Sequence, residues 1–169
     1  MVFAIVLFSL FLILQLPGLR RPWPTHRERA AIAAGLFFVG AGVMHFVSPA
    51  MYVAMIPPAL PAPHLLVWLS GVAEIACGVG LLCVRTRRLA AWATLVLLVA
   101  ILPANVYEAQ RGSTMAAKLG LASWYDVVRV PFQLVYVAWV AWAGGLLGAR
   151  VTGGALATGT SPGSRDPRC

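Results

Sequence analysis

Acidic side chains are almost missing from this sequence. Asp and Glu together number 5 in 169 residues, against 13 Lys and Arg, and charged residues of both signs make up only 11%. Soluble domains carry about 25% charged residues, so an ordinary soluble fold is excluded. Cysteine is scarce too: Cys77, Cys83 and Cys169 are the only 3, and no C-x-x-C occurs. Cys77 and Cys83 fall on one predicted helix, where a rise of 1.5 Å per residue puts their Cα atoms roughly 9 Å apart, beyond disulfide reach. A dithiol redox centre within the chain is thereby disfavoured, and the thiols read as small packing residues. No Gly-rich phosphate loop precedes a strand, and no Ser-His-Asp set can be identified from spacing. No basic groove with interleaved aromatics points to nucleic acid. A lone His with one acid is too little for a metal site, which needs three or four ligands. Met51 and Met55 could suggest soft copper ligation, but in so apolar a loop they read as packing residues that face the membrane.

What the chain does have is long apolar runs. It is 60% hydrophobic, with a mean hydropathy of +0.84. The runs are Val2 to Leu16, Ala30 to Val47, His64 to Val84, Leu89 to about Tyr107, and Val130 to Ala149. Most approach the ~20 residues that cross the hydrocarbon core as a helix, so the expected fold class is an all-α polytopic membrane protein with five spans. The first run is the shortest. It lacks a basic n-region and an A-x-A cleavage pattern, and Arg20 and Arg21 follow it directly, so it reads as a retained anchor and not as a signal peptide. The expected organisation is an N-terminal transmembrane helix over residues 1–19, a basic cytoplasmic loop over 20–29, a four-helix membrane bundle over 30–149, and a disordered Gly-, Ser-, Thr- and Pro-rich tail over 150–169. A C-terminal Cys169 is no prenylation signal, because that Cys must be fourth from the end.

The basic residues give a direction. With the N-terminus outside, the inner segments hold Arg20, Arg21, Arg27, Arg29, Arg85, Arg87, Arg88, Arg150, Arg165 and Arg168, 10 of the 13 basic residues. Arg111, Lys118 and Arg129 fall outside. The positive-inside rule then predicts N-terminus out and C-terminus in. The outer connection from Ser48 to Pro63 has no charge. Its five prolines (Pro49, Pro57, Pro58, Pro61 and Pro63) forbid a regular helix through it, and its apolar character suits an interfacial lid over the bundle mouth. Trp124 and Tyr125, in the more polar connection from Gln110 to Asp126, are placed as interface anchors.

Glu74 lies in the middle of the third run. A carboxyl group at that depth disfavours insertion by roughly 2.5–3.5 kcal/mol and is by default a functional-site hypothesis. Ser70, Gly71, Cys77 and Gly78 share its helix face, while Leu66, Val72, Ile75, Val79 and Leu82 fall on the opposite side. Small residues permit close helix approach, so Glu74 is expected to point into the bundle. His45, Asn105, Gln133 and Tyr136 lie toward the outer ends of their own spans, with Glu74 roughly 15 Å below the outer start of its span at 1.5 Å per residue. Two readings stand. In one, these groups satisfy one another and fix the packing. In the other, His45, Ser70, Glu74, Asn105, Gln133 and Tyr136 line a pocket open to the outside. That pocket would take a small amphipathic ligand such as a quinone, whose carbonyls need donors and whose ring needs apolar walls.

The stretch GVMHFVSPAMYVAMIPPALPAPHLLVWLSGVAEIACGVGLLCVRTRRLAAW, together with LLVAILPANVYEA, resembles the DoxX family of small bacterial membrane proteins. The resemblance rests on an ordered series: H-F-x-x-P from His45, P-P-x-L-P from Pro57, S-G-V-x-E from Ser70, G-x-G-L-L from Gly78, R-x-R-R from Arg85 and L-P-A-N from Leu102. It covers about Ala30 to Gly148, and the additional N-terminal span is similar to one sub-branch. The resemblance implies a four-helix core in the bilayer and carries no established catalytic set. The family's name reflects a likeness to a subunit of thiosulfate:quinone oxidoreductases, and some relatives are linked to thiol and oxidative stress. The expectation is a non-enzymatic or accessory membrane protein with no evident cofactor. Its alternatives are a membrane subunit of a quinone-linked oxidoreductase, with a redox-protein partner, and a small transporter or lipid-binding module. The apolar inner halves of the spans argue against transport.

Overall fold

In a computed structural model, which describes residues 2–19, 22–111 and 124–147, the chain is helical, with no strand among the described residues. The helices are α1 (Val2–Ile13), α2 (His26–Val47), α3 (Pro49–Val53), α4 (Pro63–Leu82), α5 (Arg87–Arg111) and α6 (Trp124–Ala143). Helices α2, α4 and α5 are long and apolar enough to cross a membrane, while α1 and the apolar part of α6 are shorter. Leu65, Trp68, Leu69 and Val72 of α4 and Leu89, Trp92, Val96 and Val99 of α5 are exposed. Contiguous apolar surface on this scale is a hallmark of membrane contact. Arg20, Arg21, Lys118, Arg150, Arg165 and Arg168 lie outside the described residues. So do the C-terminal tail, most of the Gln110–Asp126 connection, and the side chains of Trp124, Tyr125 and Arg129.

Two boundaries differ from the hydropathy reading, each for a local reason. Helix α2 begins at His26, inside the stretch expected to be a loop. Thr25 and Glu28 form a reciprocal capping box: the Thr25 hydroxyl accepts from the Glu28 N–H at 3.1 Å, and the Glu28 carboxylate accepts from the Thr25 N–H at 3.1 Å. That box satisfies the first orphan donors and lets the helix start a turn before its apolar run. The proline-rich connection, through which no regular helix is expected to run, contains the short α3 at its start. Pro49 opens it at a first-turn position, where a missing N–H is no loss, and the turns before Pro57 end it.

Helix α2 is the centre of the bundle. Ala30, Ala31, Ala33 and Ala34 are completely buried, and α2 packs on α1, α3, α4 and α6. Phe8 and Phe11 of α1 meet Trp139 of α6 edge-on, and the Trp139 indole N–H donates to the Ala30 carbonyl at 3.1 Å. The tightest seam joins α2 to α4 through two glycine pairs. A Cβ on Gly35 would lie 2.8 Å from the Gly78 carbonyl, and one on Gly42 would lie 2.6 Å from the Gly71 carbonyl. The lower-numbered glycine of one helix meets the higher-numbered glycine of the other, so the helices run antiparallel with backbones in direct contact. Ile75 and Leu82, expected on the face away from Glu74, lie in this seam against Gly42 and Gly35. They follow Gly71 and Gly78 by one turn and so continue the same stripe.

At the end where α2 begins and α4 and α6 finish, arginines cap the helix C-termini. The Arg27 Nε donates to the Trp142 carbonyl at 2.9 Å, and the Arg87 Nε donates to the Leu81 carbonyl at 3.1 Å, positions where a cation complements the helix dipole. Arg29 is buried, and its guanidinium donates to the carbonyls of Trp23 and Pro24. The opposite end of the bundle carries α3.

Candidate functional site

The Gly42–Gly71 crossing positions the two buried titratable side chains. His45 and Glu74 each lie three residues beyond a crossing glycine, and a Cβ on Gly71 would come within 2.8 Å of the His45 Cβ. Side chains tilt toward the N-terminus of their own helix. In an antiparallel pair, His45 therefore tilts down and Glu74 tilts up. The imidazole Nδ1 reaches 3.8 Å from the Glu74 carboxylate. The expected difference in depth between His45 and Glu74 is closed by this geometry, without a bridging residue.

The imidazole is fixed from two sides. Its Nδ1 lies 3.0 Å from the Ala41 carbonyl. A carbonyl only accepts, so Nδ1 carries a hydrogen and the other ring nitrogen faces away from that bond. Tyr52 of α3 stacks on the ring, with centroids 3.9 Å apart and planes at 23°. Tyr52, Met55 and Val67 form a small apolar cluster of their own, so the connection from Ser48 to Pro63 is packed down onto α4.

A second polar chain joins α5 to α6. The Gln133 amide donates to the Leu98 carbonyl. This fixes the orientation of that amide, and its Oε1 accepts from the Asn105 Nδ2 at 3.1 Å. Leu98 lies five residues before Pro103, next to Val99, whose carbonyl loses its backbone donor to the proline ring. Gln133 thus supplies an N–H from a neighbouring helix to a carbonyl near the break. Ser70 donates to the Val67 carbonyl of its own helix at 2.9 Å, which leaves only acceptor capacity on its oxygen.

These groups surround two adjoining chambers. The inner one, about 80 Å³, is lined by His45, Glu74, Asn105, Gln133 and Tyr136, with Phe37, Phe38 and Tyr52 among its rings. The outer one, about 520 Å³, shares His45, Tyr52, Glu74 and Asn105 with it. It continues between α4 and α5 past Leu66, Leu69, Ser70 and Ala100, under Met55, Ile56 and Leu60 of the connection. Its volume lies within the ~300–1,000 Å³ of small-molecule sites. Leu69 and Ala100 are exposed on the apolar outer surface, so the outer chamber opens on that surface. The structure therefore brings together five of the six sequence-predicted residues around the inner chamber and places the sixth, Ser70, on the wall of the outer one. Among the described residues no cluster of three His, Cys, Asp or Glu could hold a metal. Cys77 is buried on α4 and Cys83, half-buried, ends that helix.

Sequence reasoning missed Tyr52 and Glu108. Tyr52 sits in the proline-rich connection, where no helical period was expected. Glu108 is 2% exposed and continues the stripe of buried Leu98, half-buried Ile101 and buried Asn105, whose spacing of three and four residues could have found it.

Fold and site together define a helical, membrane-associated domain with a polar chamber at the end of an apolar groove. Residues 33–144 match the model of a domain of unknown function, DUF8561, and the chain belongs to that family. No curated protein and no solved structure matches the chain significantly.

Proposed function

We propose that this is a five-span, DoxX-like protein of the bacterial inner membrane, N-terminus outside and C-terminus cytoplasmic, which binds a small amphipathic ligand in its outer leaflet. The observation that carries this reading is the continuity of the two chambers. A polar head would reach His45, Glu74 and Asn105, while its tail would lie in the groove between α4 and α5. Entry from the bilayer follows from the exposed Leu69 and Ala100 at the groove's rim. An accessory, non-enzymatic role goes with this reading. Mass spectrometry of small molecules retained by the gently solubilised protein tests the reading. A retained amphiphile lost on Leu69→Trp or Ala100→Trp, which narrow the groove, supports it. An empty groove in protein taken directly from membranes removes it.

A membrane subunit of a quinone-linked oxidoreductase is the second reading. It is favoured by the 3.8 Å approach of His45 to Glu74, a pair able to hold and pass a proton beside a bound ring. Quinone co-purifying with the protein, together with a redox partner, would favour it over the first.

A further inference from the structure

Helices α5 and α6 each contain an internal proline, Pro103 and Pro131, and each proline removes one backbone hydrogen bond from its helix. Sharp helix kinks, those beyond about 20°, fall almost always at such positions. Pro103 divides α5 into an inner segment, up to Val99, and an arm from Ala104 to Arg111. The arm belongs to the wall of the site. Pro103 and Ala104 line the outer chamber, and Asn105 lines both chambers. Leu66, Ser70 and Ala73 of α4 line the outer chamber with them, so the angle at Pro103 sets the width of the groove between α4 and α5.

One side chain spans this break. Gln133 donates to the Leu98 carbonyl, on the inner side of Pro103, and accepts from the Asn105 Nδ2 at 3.1 Å, on the far side. The directions of helical groups explain how one amide reaches both. Carbonyls point toward the C-terminus of a helix and side chains tilt toward its N-terminus. The Leu98 carbonyl and the Asn105 side chain, about two turns apart along α5, therefore converge on one level. Gln133 itself follows Pro131, on the bundle side of the α6 break. Its bond to Leu98 ties the two inner segments together, and its bond from Asn105 holds the arm to them. Leu98, Asn105 and Gln133 are all buried, where a hydrogen bond is stronger than in water. Glu108, buried one turn beyond Asn105, lies on the arm as well, so the arm is packed against the bundle.

From this arrangement we infer that the end of α5 is a gate on the groove, with Pro103 as its hinge and Gln133, acting through Asn105, as its latch. Hinge and latch are read from α5 and α6 alone; that a ligand passes the gate rests on the proposed binding of an amphiphile. Asn105 links the gate to the chambers. With its bond made, its side chain stands in the wall of both, and with the arm swung out it leaves that wall.

Spin-label distances test this in the full chain carrying Cys77→Ala, Cys83→Ala and Cys169→Ala. One pair, Leu65→Cys with Gln110→Cys, joins exposed sites on α4 and on the arm. A second, Leu65→Cys with Val96→Cys, joins α4 to the inner segment of α5. The arm from Pro103 to Gln110 is about 10 Å long at 1.5 Å per residue, so a swing of about 20° moves its tip by roughly 4 Å. Asn105→Ala cuts the arm's bond and leaves Gln133 on Leu98. It should add to the first pair a population displaced by about 4 Å and leave the second pair unchanged. Gln133→Leu should do the same, and Asn105→Ala carries the test should that variant not fold. Pro103→Ala returns a backbone donor to Val99, so adding it to Asn105→Ala should remove the displaced population. An unchanged first pair, an equal shift in both pairs, or a displaced population that survives Pro103→Ala overturns the gate. The ligand reading is judged apart, by the amphiphile retained. A gate that opens beside an empty groove keeps the hinge and removes the ligand, whereas a retained amphiphile with an unmoved arm removes the gate alone.

Discussion

The α2–α4 seam is open to a quantitative test, because α2 carries two glycines in different surroundings. A Cβ on Gly40 would have nothing within 4 Å, whereas one on Gly42 would lie 2.6 Å from the Gly71 carbonyl and 2.8 Å from the Ile75 Cγ1. Replacing either glycine by alanine improves helix propensity by about 0.8–1 kcal/mol. Only Gly42→Ala adds the overpacking penalty, about 1–3 kcal/mol, and the obstructing atom is backbone that cannot rotate away. Propensity cancels between the two variants, so Gly42→Ala should be less stable than Gly40→Ala by about 1–3 kcal/mol. Reversible unfolding in mixed micelles, followed by loss of helix signal, measures the gap. Ile75→Ala in the Gly42→Ala background should recover part of it, since it relieves the side-chain contact and leaves the carbonyl contact. Equal stability of the two glycine variants would refute direct backbone contact at this crossing, and with it the geometry that brings His45 to Glu74.

The Asn105–Gln133 chain should behave as one unit. Gln133→Leu should destabilise by about 1–3 kcal/mol, as it leaves the buried Asn105 amide without its acceptor, and adding Asn105→Leu should cost less than the sum of the single changes; the same unfolding assay reads both. Glu74→Gln keeps shape and hydrogen-bonding groups and should leave stability within about 1 kcal/mol of the parent, whereas Glu74→Leu should lose more by stranding polar neighbours; a Gln variant that unfolds while the Leu variant does not would contradict this account of the site. A reporter active only in the cytoplasm, fused after Arg168, should be active, and activity of the fusion only outside would reverse the proposed orientation.

Much of the architecture is legible in the residue order, because a bilayer demands long apolar helices and tolerates few polar exceptions. The polar exceptions at His45, Glu74, Asn105, Gln133 and Tyr136 could be picked out on that ground alone. The glycines flanking His45 and Glu74 also mark the faces that meet. Three things could not be read. The common depth of His45 and Glu74 depends on the opposed tilt of side chains in an antiparallel pair, which spacing along one helix does not reveal. Tyr52 reaches His45 only because α3 folds back over α2, and the prolines of that connection hide a short helix. The early start of α2 depends on a capping box between Thr25 and Glu28, polar residues that hydropathy counts as loop.

The central place of α2 bears on how such a chain can be assembled. A protein inserted as it is synthesised presents α2 to the membrane before α4. The apolar run of α2 carries no formal charge between Arg29 and His45, so it can reside among lipids without its later neighbours, whose packing adds little to its solvation. Helix α4 brings Glu74, a carboxylate that lipid resists by roughly 2.5–3.5 kcal/mol on insertion scales. By then the glycine-lined face of α2, with His45 at its end, is already in place to receive it. The residue hardest to insert thus follows the surface that shelters it, so deleting α2 should impair insertion of α4 more than deleting α4 impairs insertion of α2.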